Sequence, residues 1–317
     1  GTPRPRGGAD LRIGGGLCNR ERMRRQRSRV VWLLGAMACA SGSESGEWPI
    51  HRGDAGLRGV AAAPLSAPLR RVWTARVAAA PNSSPIVVGG RVFIGSASNA
   101  LVALDARTGQ QLWAAPTGHA ADAPPLAFGS VVGVGTERGD FIVVRQSDGR
   151  EVWRYAGGGR IAGSANAIRI GDCWHVLVGS YDAVLNCFEG GDGRRLWSFA
   201  AEGYLHATPA IGGQAAIVGS CDGRVYLVGL TNGALRAAVE AGSYVAASPA
   251  VEGGVAFVAT HGGELLSIEV ETGRVRWRLT DTNAGAFVSS PALGAERVVV
   301  GDRAGRVVAV KRETGEI

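Results

Sequence analysis

Short apolar runs alternate with glycine-containing turns along most of the chain. The stretch 83–113 shows the unit most clearly, and its apolar runs are Ile86–Val88, Arg91–Ile94, Leu101–Leu104 and Gln111–Trp113. Gly89 and Gly90, between the first two runs, suit the positive φ angles of a tight hairpin turn. The pattern therefore predicts four short antiparallel strands joined by turns.

The unit repeats through the chain. The glycine of the third turn recurs at intervals of 40, 44, 40, 40 and 42 residues: Gly109, Gly149, Gly193, Gly233, Gly273 and Gly315. A tryptophan follows four residues later in four of the six copies, and the fourth copy has Ala237 there. Trp73 lies in phase, 40 residues before Trp113. Repeats of about 40–50 residues that contain four strands are typical of β-propeller blades.

The recurrent tryptophan has a predicted structural role. A sheet of four short strands buries too little surface when it stands alone, so the sheets are expected to stack radially. A large aromatic ring at one fixed position would fill the space between neighbouring blades. We assign this role to Trp73, Trp113, Trp153, Trp197 and Trp277. Ala237 predicts a weaker contact in the fourth copy.

The two ends of the repeat array leave two interpretations open. Leu69–Trp73 is predicted to form a strand that carries a tryptophan, whereas the sixth copy, 289–315, supplies three strands and a turn. In a closed six-bladed ring, the Trp73 strand would complete the sixth blade and remove the exposed sheet edges. Alternatively, the chain is a fragment of a larger ring. We favour the fragment, because the turn at Thr314–Gly315 leads to a strand that the sequence does not contain.

Composition and charge agree with a folded all-β domain. The 317 residues are 46% hydrophobic and 19% charged, and 49 of them are glycine. The net charge of +7 is concentrated in residues 1–47, which hold nine arginines and four acidic residues. The other 270 residues carry 25 basic and 23 acidic groups. The repeats are therefore nearly neutral, which argues against a nucleic-acid partner.

The N-terminal part has the pattern of an exported protein. Residues 1–22 are predicted to be disordered or a non-coding leader, and 23–39 combine a basic segment, a short apolar run and a small-residue end. This is the pattern of a signal peptide. Cys39 is a lipidation candidate, with simple cleavage as the alternative. Residues 40–68 form a linker and lead-in strap before the propeller at 69–317, and a membrane contact is expected only through an N-terminal lipid anchor.

The repeats resemble the PQQ-like, quinoprotein-type propeller family. The resemblance lies in SSPIVVGGRVFIGS…LVALDARTGQQLW and SPAVEGGVAFVAT…ETGRVRW, and it covers about residues 48–317. The family includes quinone-dependent alcohol dehydrogenases and the propeller lipoprotein of the outer-membrane β-barrel assembly machine. The resemblance implies an eight-bladed ring, of which six repeats are present here. A dehydrogenase of this family would require PQQ and calcium, and it would carry two adjacent cysteines that this sequence lacks.

The sequence contains no catalytic, cofactor-binding or metal-binding motif. Its five histidines lack the spacing of a metal site, and the G-x-S-x-G pattern of a nucleophilic serine is absent. Cys173 and Cys187 are predicted to lie roughly opposite each other on consecutive strands. A disulfide between them is one alternative, and two buried thiols are the favoured one. We therefore expect no catalytic residues, no bound cofactor and no metal.

What remains is a candidate binding face formed by loops, where propellers usually carry their function. Its candidate residues are Tyr181, Asp182, Tyr204, His206, Cys221, Asp222 and Tyr244. The sequence-based hypothesis is an exported, non-enzymatic scaffold or ligand sensor at the bacterial envelope, in the periplasm or anchored to the outer membrane. Its partner would be an envelope protein or a small ligand. A quinone- and calcium-dependent dehydrogenase is the alternative.

Overall fold

Antiparallel sheets account for the regular structure of the chain. The computed structural model describes residues 46–62, 64, 67–77, 83–280 and 285–317. Within them, 23 strands form five four-stranded sheets and one three-stranded sheet, and no helix is present. Each sheet corresponds to one sequence repeat, and its strands pair in chain order. The prediction of an all-β chain with six repeats of antiparallel strands is confirmed.

The sheets are numbered one to six along the chain. Sheet one contains β1 (Ile86–Val88), β2 (Arg91–Ser96), β3 (Ala100–Asp105) and β4 (Gln111–Pro116); sheet two contains β5 (Leu126–Phe128), β6 (Val131–Gly135), β7 (Asp140–Arg145) and β8 (Glu151–Ala156); sheet three contains β9 (Asn166–Ile170), β10 (Cys173–Gly179), β11 (Val184–Glu189) and β12 (Arg195–Ala200).

The second half repeats this arrangement. Sheet four contains β13 (Ala210–Gly212), β14 (Ala215–Gly219), β15 (Arg224–Gly229) and β16 (Leu235–Glu240); sheet five contains β17 (Ala250–Glu252), β18 (Val255–Ala259), β19 (Glu264–Glu269) and β20 (Val275–Thr280); sheet six contains β21 (Ala292–Leu293), β22 (Arg297–Gly301) and β23 (Val307–Lys311).

A β-bulge marks the same place in all five four-stranded sheets. In sheet two, Trp153 pairs with Val143 and Glu151 pairs with Val144, so that β8 contains one extra residue. The third and fourth strands of the other four sheets show the same register shift. A bulge increases the local twist of a sheet. The repeat therefore builds a twisted blade, and the residue next to the bulge is tryptophan in four of these sheets and Ala237 in sheet four.

The strap at residues 48–58 shows that the sheets surround one axis. Its backbone accepts hydrogen bonds from the first strand of several sheets, as from Ile211 to Ala55 (2.8 Å) and from Leu293 to Arg58 (2.9 Å). The full set of contacting residues, one from each sheet in chain order, is Val87, Ala127, Asn166, Ile211, Val251 and Leu293. Six first strands converge on eleven residues, so the strap lies in the central channel of a propeller.

The tryptophans connect each sheet to the next. Trp153 Nε1 donates a hydrogen bond to the Gly190 carbonyl at 2.9 Å, and its ring lies against Gly193. Gly193 has φ of +73°, and a Cβ atom there would lie 2.6 Å from the indole, so only glycine suits this position. The corresponding indole–carbonyl pairs are Trp73–Ala106, Trp113–Gln146, Trp197–Leu230 and Trp277–Arg312.

The segment at Leu69–Trp73 differs from the prediction, because it forms no strand. The side chains of Leu69 and Val72 are 73% and 79% exposed, and no neighbouring strand supplies backbone partners for the segment. Within the described residues, β23 pairs only with β22, so the Trp73 segment does not complete the sixth sheet as the closed-ring alternative required. Trp73 itself still docks on sheet one. The candidate signal at 23–39, with Cys39, lies outside the described residues.

Candidate functional site

One end of the sheets carries most of the candidate residues. Because the strands of each sheet run antiparallel, the turn between the second and third strands lies at the same end as the segment that leads to the next sheet. We call this end the loop face. The turns between the first and second strands, and between the third and fourth, lie at the opposite end, which we call the turn face.

The loop face of sheets three and four carries a cluster of aromatic side chains. Tyr181 lies in the turn of sheet three, and Tyr204 in the segment that leads to sheet four. Their rings stack with centroids 5.3 Å apart and planes 4° apart. The Arg160 guanidinium lies 5.9 Å from the centroid of the Tyr181 ring. The stack thus joins neighbouring sheets and has a cation on one side.

His206 fixes the orientation of this cluster. The Tyr181 hydroxyl and His206 Nδ1 are hydrogen-bonded. Burial, with a smaller contribution from Arg160, lowers the pKa of His206, so its imidazole is neutral at pH 7. Burial also raises the pKa of Tyr181, so its hydroxyl stays protonated and donates to the imidazole nitrogen. The phenol ring is therefore held rigidly below Tyr204, whose side chain is 57% exposed.

Tyr244 forms a separate pair on the loop face. It stacks on His261 with centroids 4.2 Å apart, and the His261 amide donates to the Tyr244 carbonyl at 3.0 Å. The Cys221 amide donates to the Tyr204 carbonyl at 2.9 Å in the same way. These backbone bonds hold the segments between sheets against the turns, so the aromatic rings project from fixed positions.

The two predicted aspartates hold turns together. Asp182 accepts hydrogen bonds from the Ser180 hydroxyl and from the Val184 amide. Asp222 accepts from the Arg224 amide at 2.9 Å and from the Tyr226 hydroxyl at 2.7 Å. Their carboxylates are largely occupied within the turns. The structure thus brings Tyr181, Tyr204 and His206 together, whereas Asp182 supports the turn that carries Tyr181 and Asp222 supports the turn of sheet four.

Of the polar residues on the axis, sequence reasoning identified His206 and missed the others. A cavity of about 330 Å³ opens at the loop face, and strap residues His51 and Arg52 line it. Hydroxyls from the repeats also line it, at Ser164, Thr208, Ser248 and Ser290. In the sequence, these hydroxyls were indicated by the small residue that precedes a proline at the start of most repeats. Nothing in the local sequence indicated that the strap reaches the same place.

The cysteines do not form the predicted opposite pair. Cys187 lies opposite Leu177, whereas Cys173 lies opposite Ile170 at the far end of β10, so the expected alignment is wrong. Among the described cysteines, Cys173, Cys187 and Cys221, the structure forms no disulfide. Burial raises the pKa of Cys187 to about 12, so this thiol is unreactive at neutral pH.

The part of the chain that the structure describes contains neither a cluster of metal ligands nor a membrane-spanning helix. Its histidine, cysteine, aspartate and glutamate side chains nowhere gather in a group of three that could hold a metal ion. Over the same residues, no helix has the length and apolar character needed to cross a bilayer.

Comparisons with known proteins agree on the fold. The sequence profile of one family, described as outer membrane protein assembly factor BamB, matches residues 67–180 and 181–317. BamB from Moraxella catarrhalis has a similar structure, with a TM-score of 0.62 and 21% identity over 74% of this chain and 77% of that chain. Among curated proteins, none matches the sequence.

Two further solved structures are similar. The computationally designed Ika8 protein has a TM-score of 0.55 and 16% identity, over 75% of this chain and 85% of that chain. The quinohemoprotein alcohol dehydrogenase ADHIIG from Pseudomonas putida HK5 has a TM-score of 0.56 and 15% identity, over 73% of this chain and 57% of that chain. At these identities the likeness shows a shared fold.

Proposed function

Because the chain belongs to the family of the outer membrane protein assembly factor BamB, we propose that it is an exported, non-enzymatic interaction scaffold for outer-membrane protein assembly. Its partner is a protein of the assembly machinery in the bacterial envelope. The loop face is the proposed contact surface, and the outer strands of the blades offer edges to which an unfolded strand can add by backbone pairing.

The observation that carries this proposal is the rigid, exposed aromatic cluster. Tyr204 stacks on Tyr181, and Tyr181 is held by His206. Tyrosine is enriched among the residues that dominate binding energy at protein interfaces. A ring that is already fixed loses little conformational entropy when a partner covers it. The cluster therefore has the character of an interface anchor.

The proposal is tested by binding of the purified full-length protein to a purified β-barrel assembly complex that lacks its own propeller subunit. We expect saturable binding of the wild type, and Tyr204→Ala is expected to weaken it by about 5- to 30-fold. Arg107→Ala is the matched control, because Arg107 is exposed in the turn between β3 and β4, at the turn face and outside the strands. Absence of wild-type binding contradicts the scaffold role. Equal affinity of all three proteins contradicts the loop face as the contact surface.

The dehydrogenase alternative does not fit the axial residues. Ca²⁺ is bound by oxygen ligands that usually include carboxylates. The described residues that line the axial cavity include no aspartate or glutamate, and the strap lies in the channel. We therefore expect no reduction of a dye by alcohols after incubation with PQQ and Ca²⁺. Turnover in that assay would favour the enzyme over the scaffold.

A further inference from the structure

The axial cavity at the loop face has the construction of a small binding site. Its floor is formed by His51 and Arg52 of the strap, and its walls come from the segments that lead into sheets two to six. The volume of about 330 Å³ lies at the lower end of the range for ligand cavities, roughly 300–1,000 Å³. The cavity therefore suits a molecule of a few carbon atoms.

Arg52 is the cationic side chain in the described lining of this cavity. Its Nε donates to the Leu57 carbonyl at 2.9 Å, and its Nη2 donates to the Pro291 carbonyl. Burial lowers the pKa of Arg52, against an opposing effect of Asp54, which itself is paired with Arg58 at 2.7 Å. Within the described residues, Arg52 forms no ion pair. Arg52 is half-buried, and a cation that is partly removed from water without a paired anion is destabilised, so a bound anion would stabilise it.

A chain of hydroxyls surrounds the same cavity. The Ser164 amide donates to Thr208 Oγ1 at 2.9 Å, and the Thr208 amide donates to Ser248 Oγ at 3.1 Å. The Ser248 amide in turn donates to Ser290 Oγ at 3.0 Å. The hydroxyl oxygens of Thr208, Ser248 and Ser290 accept these bonds, so their own protons can be donated to a ligand. The cavity thus combines a cation with hydroxyl donors.

The remaining lining is neutral or apolar. Among the residues that the structure describes, no carboxylate lines the cavity, and burial lowers the pKa values of His51 and His206, so both imidazoles are neutral at pH 7. Methyl groups lie between the hydroxyls at Ala162, Ala207, Ala246, Ala247 and Val288. An inorganic anion would leave these methyl groups without contacts, whereas a short carbon chain would cover them.

We propose that this cavity binds a small organic carboxylate, with the carboxylate at Arg52 and the hydroxyls of Thr208 and Ser248, and the carbon chain against the alanines. The site would make the protein a sensor of small organic acids in its compartment. This inference goes beyond the scaffold role and does not depend on it, since the cavity binds or fails to bind without any protein partner.

Isothermal titration of the purified full-length protein with butyrate tests the proposal. Butyramide, which has nearly the same shape and no charge, is the first control, and inorganic phosphate is the second. We expect saturable binding of one butyrate per chain, no saturable heat with butyramide, and weaker binding of phosphate. No saturable heat with butyrate overturns the proposal. Butyramide binding as tightly as butyrate, or phosphate binding at least as tightly, also overturns it.

Two variants test the location of the site. Arg52→Gln is expected to weaken butyrate binding at least about tenfold, because a charge-assisted hydrogen bond is lost. Since Arg52 also supports the strap, Ala246→Leu provides a second test that fills the cavity and leaves the guanidinium in place. Ala234→Leu is its matched control, at an exposed turn-face position. Wild-type affinity of Ala246→Leu overturns the location, and the control is expected to bind butyrate like the wild type.

Discussion

Individual indole rings fix the spacing between neighbouring sheets. Trp153 shows the full set of contacts: a hydrogen bond to the Gly190 carbonyl, the close approach to Gly193, and tilted packing against Phe141 and Phe188, whose centroids lie 5.7 Å and 5.9 Å away. Its side chain is 7% exposed. One residue therefore contributes packing, a satisfied polar group and a defined distance between sheets two and three.

Trp153→Ala is expected to lower the free energy of unfolding by about 3–5 kcal/mol, because it removes a large buried ring and leaves a cavity. Trp153→Phe retains most of the packing and loses the hydrogen bond, so a loss of about 1–3 kcal/mol is expected. Urea unfolding followed by circular dichroism measures both. A loss below about 1 kcal/mol for Trp153→Ala would show that the indole does not hold the two sheets together.

Where the recurrent tryptophan is missing, the turn of one sheet lies directly against a strand of the preceding sheet. At sheets four and five, Ala237 takes the place of tryptophan, and a Cβ atom on Gly273 would lie 2.5 Å from the Ala237 Cβ. At the five other positions, the corresponding distance is to an indole ring atom, at 2.6–2.9 Å. The turn of sheet five therefore lies against the strand itself. Closer approach of the two elements, and not a gap, replaces the missing ring.

Ala237→Trp is therefore expected to destabilise the protein by about 1–3 kcal/mol, although it restores the consensus of the repeat, because the ring would force the turn away from β16. Ala238→Trp is the matched control at the next, exposed position, where a change within about 0.5 kcal/mol is expected. The urea concentrations at which the two variants are half unfolded are compared with that of the wild type. A gain of stability for Ala237→Trp would show that the interface retains room for an indole.

At the scale of the whole molecule, the strap is the element that contacts all six sheets. It accepts hydrogen bonds from the first strand of each of the six sheets, and its Leu57 is completely buried. Glu252 binds Arg58 of the strap at 2.7 Å and Arg312 of sheet six at 2.6 Å. A change in the strap therefore affects every sheet at its innermost strand.

Protonation of His51 is expected to destabilise this shared element. Burial, and then the charge of Arg52, lowers its pKa from 6.5 to about 4. Between pH 6.5 and 4 the unfolded chain binds more protons than the folded one, so stability falls as the pH falls through this window. The loss attributable to His51 is at most about 3 kcal/mol and stops growing below pH 4.

Urea unfolding of the wild type and of His51→Gln across pH 4–7 measures this loss. His175 and His206 also have lowered pKa values and contribute in the same direction in both proteins, so the difference between the two profiles isolates His51. The variant is expected to lose less stability than the wild type as the pH falls. Parallel profiles would show that His51 does not titrate differently in the folded protein.

Apart from the segment at Leu69–Trp73, the sequence by itself determined the strands, their turns and the repeat, because each depends on residues close together in the chain. Alternating apolar positions, glycines at positive φ and tryptophans at a fixed spacing are all local features. The position of every indole on the following sheet also follows from the repeat, since the same contact recurs between successive copies.

Only the tertiary structure decided what lies on the axis and which loop residues meet. The contacts of the strap join residues far apart in sequence, such as Ala55 with Asn166 and Arg52 with Pro291. The stack of Tyr181 on Tyr204 likewise depends on the angle between two sheets. No local pattern encodes such distances, because they are set by how six sheets pack around one segment.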